Sequence, residues 1–283
     1  MKKQTQQGST ATKWILIGIS FLFLLVMLVV PLFEVIYRSL KDGWELYLSA
    51  LTAEYTLSAL KVTFIAAITA LIVNTFFGVV AAWLVTKFDF RGKNVLMTLI
   101  DIPFSVSPVI AGLAYIMTFG RTGWAAPFIE WINDTFGTDI ALVFSVPGVA
   151  LATIFVTFPF VSREIIPVLT AQGRDEETAA ALMGASGLTI FRKITFPHMK
   201  WGLLYGMILC AARAFGEFGA VYAVSKARGK TFTLPLEIDA LYMAGSSDSI
   251  TQAFAISSLL AGLAVIMLIL KNIVEHYGKR NDI

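Results

Sequence analysis

Charge is what this chain has least of. Asp, Glu, Lys and Arg make up 14% of its 283 residues, where a soluble domain carries roughly 25%. A surface facing water needs that charge, so the length is poorly explained by two soluble domains. Cysteine is nearly absent. Cys210 stands alone in an apolar run, which excludes a disulfide within the chain and leaves the redox compartment unread. The two histidines, His198 and His276, make no ligand spacing with it, so neither a metal nor a cofactor is expected. A net charge of +3, with no basic stripe and interleaved aromatics, argues against nucleic acid as a partner. No Ser/His/Asp or HExxH arrangement is present, which places a membrane-embedded enzyme last among the function classes. No internal repeat is evident. Gly229-Lys230-Thr231 imitates the end of a phosphate-binding loop, but Val224 stands where that loop needs its first glycine.

Apolar residues fill the space, at 57%. Six stretches are long enough to cross a hydrocarbon core of about 30 Å, which takes at least ~17 residues. They run over 14–37, 59–86, 95–119, 141–163, 201–224 and 251–274. Helices satisfy their own backbone hydrogen bonds, which lipid cannot do for them. The expected fold is therefore an all-α integral membrane protein with six transmembrane helices. The first stretch follows Lys2, Lys3 and Lys13 as a signal peptide would, but its apolar core exceeds the ~7–15 residues of such a segment. It reads as a retained span.

Lysine and arginine orient the bundle. With the N-terminus in the cytoplasm, inside segments hold Lys2, Lys3, Lys13, Lys87, Arg91, Lys93, Arg163, Arg174, Arg192, Lys193, Lys200, Lys271, Lys279 and Arg280. Outside segments hold half as many: Arg38, Lys41, Lys61, Arg121, Lys226, Arg228 and Lys230. Both termini are thus expected inside. Between the third and fourth spans, Trp124, Phe128, Trp131, Ile132 and Phe136 recur near helical spacing. This predicts a short amphipathic helix, either at the outer interface, where tryptophan is favoured, or packed as an ordinary loop helix.

Two spans carry features that lipid penalises. The third contains Asp101, Pro103, Ser105, Ser107 and Pro108. Two prolines five apart should bend or unwind it, and irregular backbone at membrane depth survives only under cover of protein or beside water. Ser105 and Ser107 are accordingly candidates for a translocation path, a simple kink being the alternative. In the fifth span Arg213 and Glu217 sit four apart in AARAFGEFGAV, where each costs around 2.5–3.5 kcal/mol at a helix centre. They share a face and can pair, and Gly216 and Gly219 are expected to let another helix approach. A structural pair, a gate and a counter-charge for an anion are all open. Outside this span, Lys226, Arg228 and Lys230 either steer an anion or a partner protein or are solvated loop residues.

The longest polar segment on the inside, 164–200, reads EIIPVLTAQGRDEETAAALMGASGLTIFRKITFPHMK. Pro167 is expected to end the preceding helix. Asp175, Glu176 and Glu177 suit a helix N-terminus. Gly184 and Gly187 allow a turn, and a second short helix, LTIFRKI, closes before Pro197. A helix–turn–helix with charged ends and an apolar middle suits a groove on a soluble partner.

This segment resembles the EAA loop of ABC-importer permeases: Glu-Ala-Ala, three residues, Gly, nine residues, Ile, one residue, Leu-Pro. Ala179, Ala180, Gly184, Ile194 and Pro197 match. Thr178 replaces the glutamate, with Glu177 adjacent, and Phe196 replaces the leucine. The strings ARAFGEFGAVYAVS, RGKTFTLPLEIDALY and PFSVSPVIAGL are similar to sulfate and thiosulfate permeases of the CysW type. The resemblance covers about 55–276. It implies a type I ABC importer (MetI-like) permease fold, with a permease domain over 59–276 flanked by 1–58 and 277–283. It also implies an inner-membrane location, two cytoplasmic ATP-binding subunits seated on Glu177, Thr178, Ala179, Ala180, Gly184, Ile194 and Pro197, a sister sulfate permease, and an extracytoplasmic sulfate/thiosulfate-binding protein. The rivals are a permease for molybdate or another oxyanion and, in a different class, a self-sufficient secondary transporter with Arg213 and Glu217 as its ion-coupled site.

Overall fold

The computed structural model describes residues 10–281, and the side chains of 12–278. Lys2 and Lys3 lie outside the described residues, as do the side chains of Lys279 and Arg280. Among the described residues the structure is helical, with no strand.

The chain begins with α1 (Thr10–Leu24), which continues through a wide π turn at Leu25–Val29 into α2 (Val30–Leu40). Together they form one apolar rod, Thr12–Leu40, whose most hydrophobic window buries nothing within the chain. Gly43, at φ +99°, turns the chain into α3 (Trp44–Thr52). The Tyr47 and Ser258 hydroxyls, 3.2 Å apart, tie α3 to the last helix.

The core is built on α4 (Glu54–Lys87). Its small residues Ala59, Ala66, Ala67, Ala70 and Ala82 are buried, and a Cβ on Gly78 would lie 2.9 Å from Val161 Cβ. Without a hydrophobic drive between helices in lipid, such small residues let backbones approach and gain dispersion contacts. Fully buried Asn74 donates to Ile154 O at 3.1 Å and to Thr157 Oγ1 at 2.8 Å, adding a polar clamp between α4 and α8 (Val146–Gln172).

The third stretch is broken as its prolines require. α5 (Lys93–Ser105) and α6 (Pro108–Phe119) meet at 109°. Ser107, directly before Pro108, is extended at ψ 131°, because the proline ring excludes the helical region for its predecessor. A short helix, α7 (Ala126–Phe136), follows and stops at Gly137, φ +62°. Trp124, Phe128, Trp131 and Phe136 stand exposed there, as expected of an amphipathic segment.

Three boundaries differ from expectation. α8 starts at Val146 rather than 141, and it retains both Pro159 and Pro167. Pro167 does not end it, because the flanking Ile165 and Leu169 are locked in the core and hold the helix across the missing donor. Arg163, the last residue of the expected fourth span, therefore lies well inside α8. Finally, 201–224 is not one span. α11 (Phe196–Phe215) ends at Gly216, and α12 (Gly219–Val224) starts afresh. α13 (Leu234–Ala244) and α14 (Ser247–Asn281) complete the chain. By length and apolarity, four helices can cross a membrane, or five with the bent pair counted as one. The count of six is not reached by this measure, because the break at 216–218 divides the fifth stretch.

Candidate functional site

Between α8 and α11 the chain projects as a compact arm. α9 (Asp175–Leu182) opens with Asp175, Glu176 and Glu177 in its first turn. It closes with two bonds, Ala185 N to Ala180 O and Gly184 N to Ala181 O, both 3.0 Å. Gly184 takes φ +87°, the left-handed residue this type of helix ending needs. α10 (Gly187–Ile190) then leads through a π turn, Phe191–Thr195, into α11 without a stop. The predicted second short helix is therefore not separate. Pro197 is the second residue of α11, directly after the π turn, and Ile194 lies in the π turn.

The arm is fastened by its charges. Glu177 faces inward, 3.1 Å from Lys87 Nζ, with side chains only 14% and 4% exposed. It also accepts from the Thr195 hydroxyl at 2.6 Å. Lys87 reaches Gly173 O as well, at 2.5 Å. Arg174 pairs with Asp89 at 2.8 Å and donates to Thr86 O at 3.3 Å. The hydrogen bond from Arg174, helped by Lys93, holds the Asp89 carboxyl below its ordinary range. Thr178 does not take up the role of a carboxylate. Its hydroxyl bonds back to Arg174 O at 2.8 Å. Ala180 is buried and Ala179 exposed. The tip presents Leu182, Met183 and Leu188, 86%, 82% and 78% exposed. Sequence reasoning did not single out Lys87, Asp89, Arg174 and Thr195 as partners, nor the three apolar tip residues. The salt-bridge partners lie some 85–90 positions apart, which no local pattern reveals.

The two broken stretches meet. A Cβ on Gly112 of α6 would lie 2.6 Å from Ala220 O and 2.7 Å from Ala223 Cβ of α12. One on Gly219 would touch Pro108 Cβ at 3.0 Å. Gly216 has no such neighbour, only Ala212 O of its own helix at 3.8 Å, so the expected close approach holds at Gly219 and fails at Gly216. Arg213 and Glu217 do pair, at 2.5 Å, with the Glu217 side chain 1% exposed and Arg213 33%. Glu217 Oε1 accepts from Ala220 N at 2.8 Å, so the carboxylate caps α12 while neutralising the arginine. Ser105 and Ser107 are exposed on this chain at the other break. Asp101 pairs with Arg163 at 3.1 Å.

The basic loop after α12 is ordered. Arg228 grips buried Glu237 with two nitrogens, at 3.0 and 2.5 Å, and lies over the Tyr55 ring at 4.7 Å. Gly229, at φ +78°, fits beneath that ring and accepts from Ser58 Oγ at 2.6 Å. Thr231 bonds Ser225 at 2.8 Å. The Gly-Lys-Thr tripeptide is thus a loop staple. Lys226 and Lys230 remain exposed.

Comparison with known proteins agrees with this architecture. The family described as "Binding-protein-dependent transport system inner membrane component" matches residues 74–280. The "Sulfate transport system permease protein CysW" of Escherichia coli (strain K12) is 43% identical over 264 residues, covering 93% of this chain and 88% of the relative. The protein of that name from Synechocystis sp. is 42% identical over 265 residues, covering 93% and 92%. "Sulfate permease 2, chloroplastic" of Chlamydomonas reinhardtii is 40% identical over 272 residues, covering 95% and 71%. A chain from a bacterial ABC transporter involved in the import of alginate superposes with a TM-score of 0.75 at 15% identity, covering 95% of this chain and 96% of that one. This shows the shared type I importer fold. The chain belongs to the family of binding-protein-dependent transport system inner membrane components, the membrane-embedded permease subunits of ABC importers.

Proposed function

We propose that this chain is the permease subunit of an ATP-driven sulfate/thiosulfate importer, moved by ATP-binding subunits that grip the arm at 175–197. The observation that carries the reading is the arm itself. Its tip is apolar and bare, while its root is fixed by Lys87, Glu177 and Arg174. A rigid lever with a greasy end can transmit a push from a soluble subunit. The substrate follows from the sulfate permeases at 40–43% identity over more than nine-tenths of the chain.

In this reading Glu177 holds the arm, and Gly184 shapes its end. Thr178, Ala179, Ala180, Ile194 and Pro197 belong to the docking element. Ser105, Ser107, Arg213 and Glu217 belong to the path or its gate. Two ATP-binding subunits, a sister sulfate permease and an extracytoplasmic sulfate/thiosulfate-binding protein complete the assembly in a bacterial inner membrane. Residues 59–276 form the permease domain. Lys87, Arg91, Lys93, Arg174, Arg192, Lys193 and Lys200 gather at the end of the bundle that carries the arm, and such an excess marks the cytoplasmic side. The chain brings no ATPase site of its own, so the energy comes from the partner.

Uptake of radiolabelled sulfate and molybdate by proteoliposomes containing the assembled importer tests this. ATP-dependent sulfate uptake is expected. Preference for molybdate moves the substrate to another oxyanion, and uptake by the chain alone on an ion gradient replaces the importer reading with a secondary transporter.

A further inference from the structure

Two arginine–carboxylate pairs involve α5, α8 and the end of α11, and they are built differently. Glu217 is sealed at 1% exposure, ion-paired with Arg213 and hydrogen-bonded by Ala220 N. That pair is a fixture. Arg163 and Asp101 are 52% and 49% exposed, and they meet through one contact, Nε to Oδ1 at 3.1 Å. The Arg163 guanidinium lies over the Phe104 ring at 4.7 Å, and no second carboxylate is within ion-pair distance of it among the described residues. The neighbouring acid, Glu164, packs toward Gly206 of α11.

Depth makes this openness informative. α8 runs nine residues beyond Arg163, and α5 starts eight before Asp101. At 1.5 Å per residue both groups sit about 12–14 Å inside the helix ends. Charges along a spanning helix avoid lipid and face a protein partner or a watered cavity. Ser105 lies one turn beyond Asp101 on the same face of α5 and is exposed, and Ser107 follows at the break. A fully deprotonated oxyanion offers only acceptors. It needs a cation with free N–H groups and hydroxyl donors, which Arg163, Ser105 and Ser107 supply.

We propose that Arg163 is an anion-binding station on the translocation path, and that Asp101 is the counter-ion it gives up when the anion arrives and takes back when the anion leaves. The loosely held carboxylate keeps the arginine from standing unpaired between turnovers. A dianion competes well against a single-contact aspartate, whereas the sealed Arg213–Glu217 pair offers no such exchange. The inference rests on the oxyanion reading above.

The test uses the complete importer in proteoliposomes, with sulfate uptake and binding-protein-stimulated ATP hydrolysis measured together. Arg163→Gln should lower uptake roughly tenfold or more, the loss of one charge-assisted contact, while stimulated hydrolysis persists. Arg163→Gln/Asp101→Asn, which leaves neither charge without its partner, should not recover. In Arg163→Cys, aminoethyl methanethiosulfonate restores an ammonium and should restore uptake, while a neutral reagent of equal length should not. Native Cys210 is buried and stays out of the reaction. Wild-type uptake by the double variant, or equal rescue by both reagents, overturns the station and leaves a structural pair. Absence of sulfate uptake by the wild-type complex instead sinks the substrate reading.

Discussion

Glu177 turns away from solvent and meets Lys87 across ninety residues, 3.1 Å apart, with Thr195 closing on the same oxygen. One carboxylate thereby joins the start of the arm, the end of α4 and the π turn before α11. Its loss should be felt in motion transmitted through the arm more than in the membrane bundle.

Lys87→Met and Glu177→Gln each leave the partner charge poorly compensated in a largely enclosed place, at a cost of about 3 kcal/mol. The expected result is lowered thermal stability of the solubilised complex and ATP hydrolysis that no longer drives uptake. Unchanged melting and uptake in Lys87→Met would show that the arm is held by Arg174 alone.

Gly184 has open space where a Cβ would go, but its φ is +87°. Gly184→Ala should therefore cost only the backbone term, about 1 kcal/mol. Gly184→Arg adds bulk and charge at the tip, so membrane insertion should be normal while ATPase assembly or coupling is blocked. Leu182→Asp should act likewise, since a residue 86% exposed has little to do with folding the chain by itself. Co-purification of the ATPase reads both.

At the crossing of α6 and α12, Gly112→Val would push into the Ala220 carbonyl, a backbone atom that cannot rotate away. Strain of about 1–3 kcal/mol and loss of transport are expected. Gly216→Ala is the control, with its nearest neighbour at 3.8 Å, and should be tolerated. Equal effects at the two glycines would refute the packing.

Asp89 is held below its ordinary value first by the hydrogen bond from Arg174. A depressed carboxyl contributes above its unfolded pKa and loses that contribution as pH falls through the folded one. The turn at 88–92 should thus stay attached to Arg174 between about pH 5 and pH 8 and loosen only in stronger acid. Asp89→Asn should loosen it at neutral pH. Spin labels on residues 90 and 173 would report the distance, and a separation that already changes between about pH 5 and pH 8 would refute the role of Asp89.

Much of this was legible from residue order. The shortage of charge and the long apolar runs led to a helical membrane protein. Pro103 and Pro108 located a break that the structure bends through 109°. Arg213 and Glu217, four apart, were placed on one face where they could pair, and the structure pairs them. Ala179, Ala180, Gly184, Ile194 and Pro197 marked the segment that folds as the projecting arm. Where local signals misled, packing outweighed them. Pro167 continues a helix because Ile165 and Leu169 are anchored, and Pro197 closes none, because the π turn runs on into α11.

What residue order settles here are events within a turn or two: where the backbone loses a donor, where a left-handed glycine is needed, which charges sit one turn apart. Folding settled that Glu177 fastens the arm to Lys87, that Arg174 meets Asp89, and that Arg163 of α8 stands opposite Asp101 of α5. Those partners are tens of residues apart. Their meeting depends on how α4, α5 and α8 are set side by side in three dimensions, and no short window of sequence carries that register.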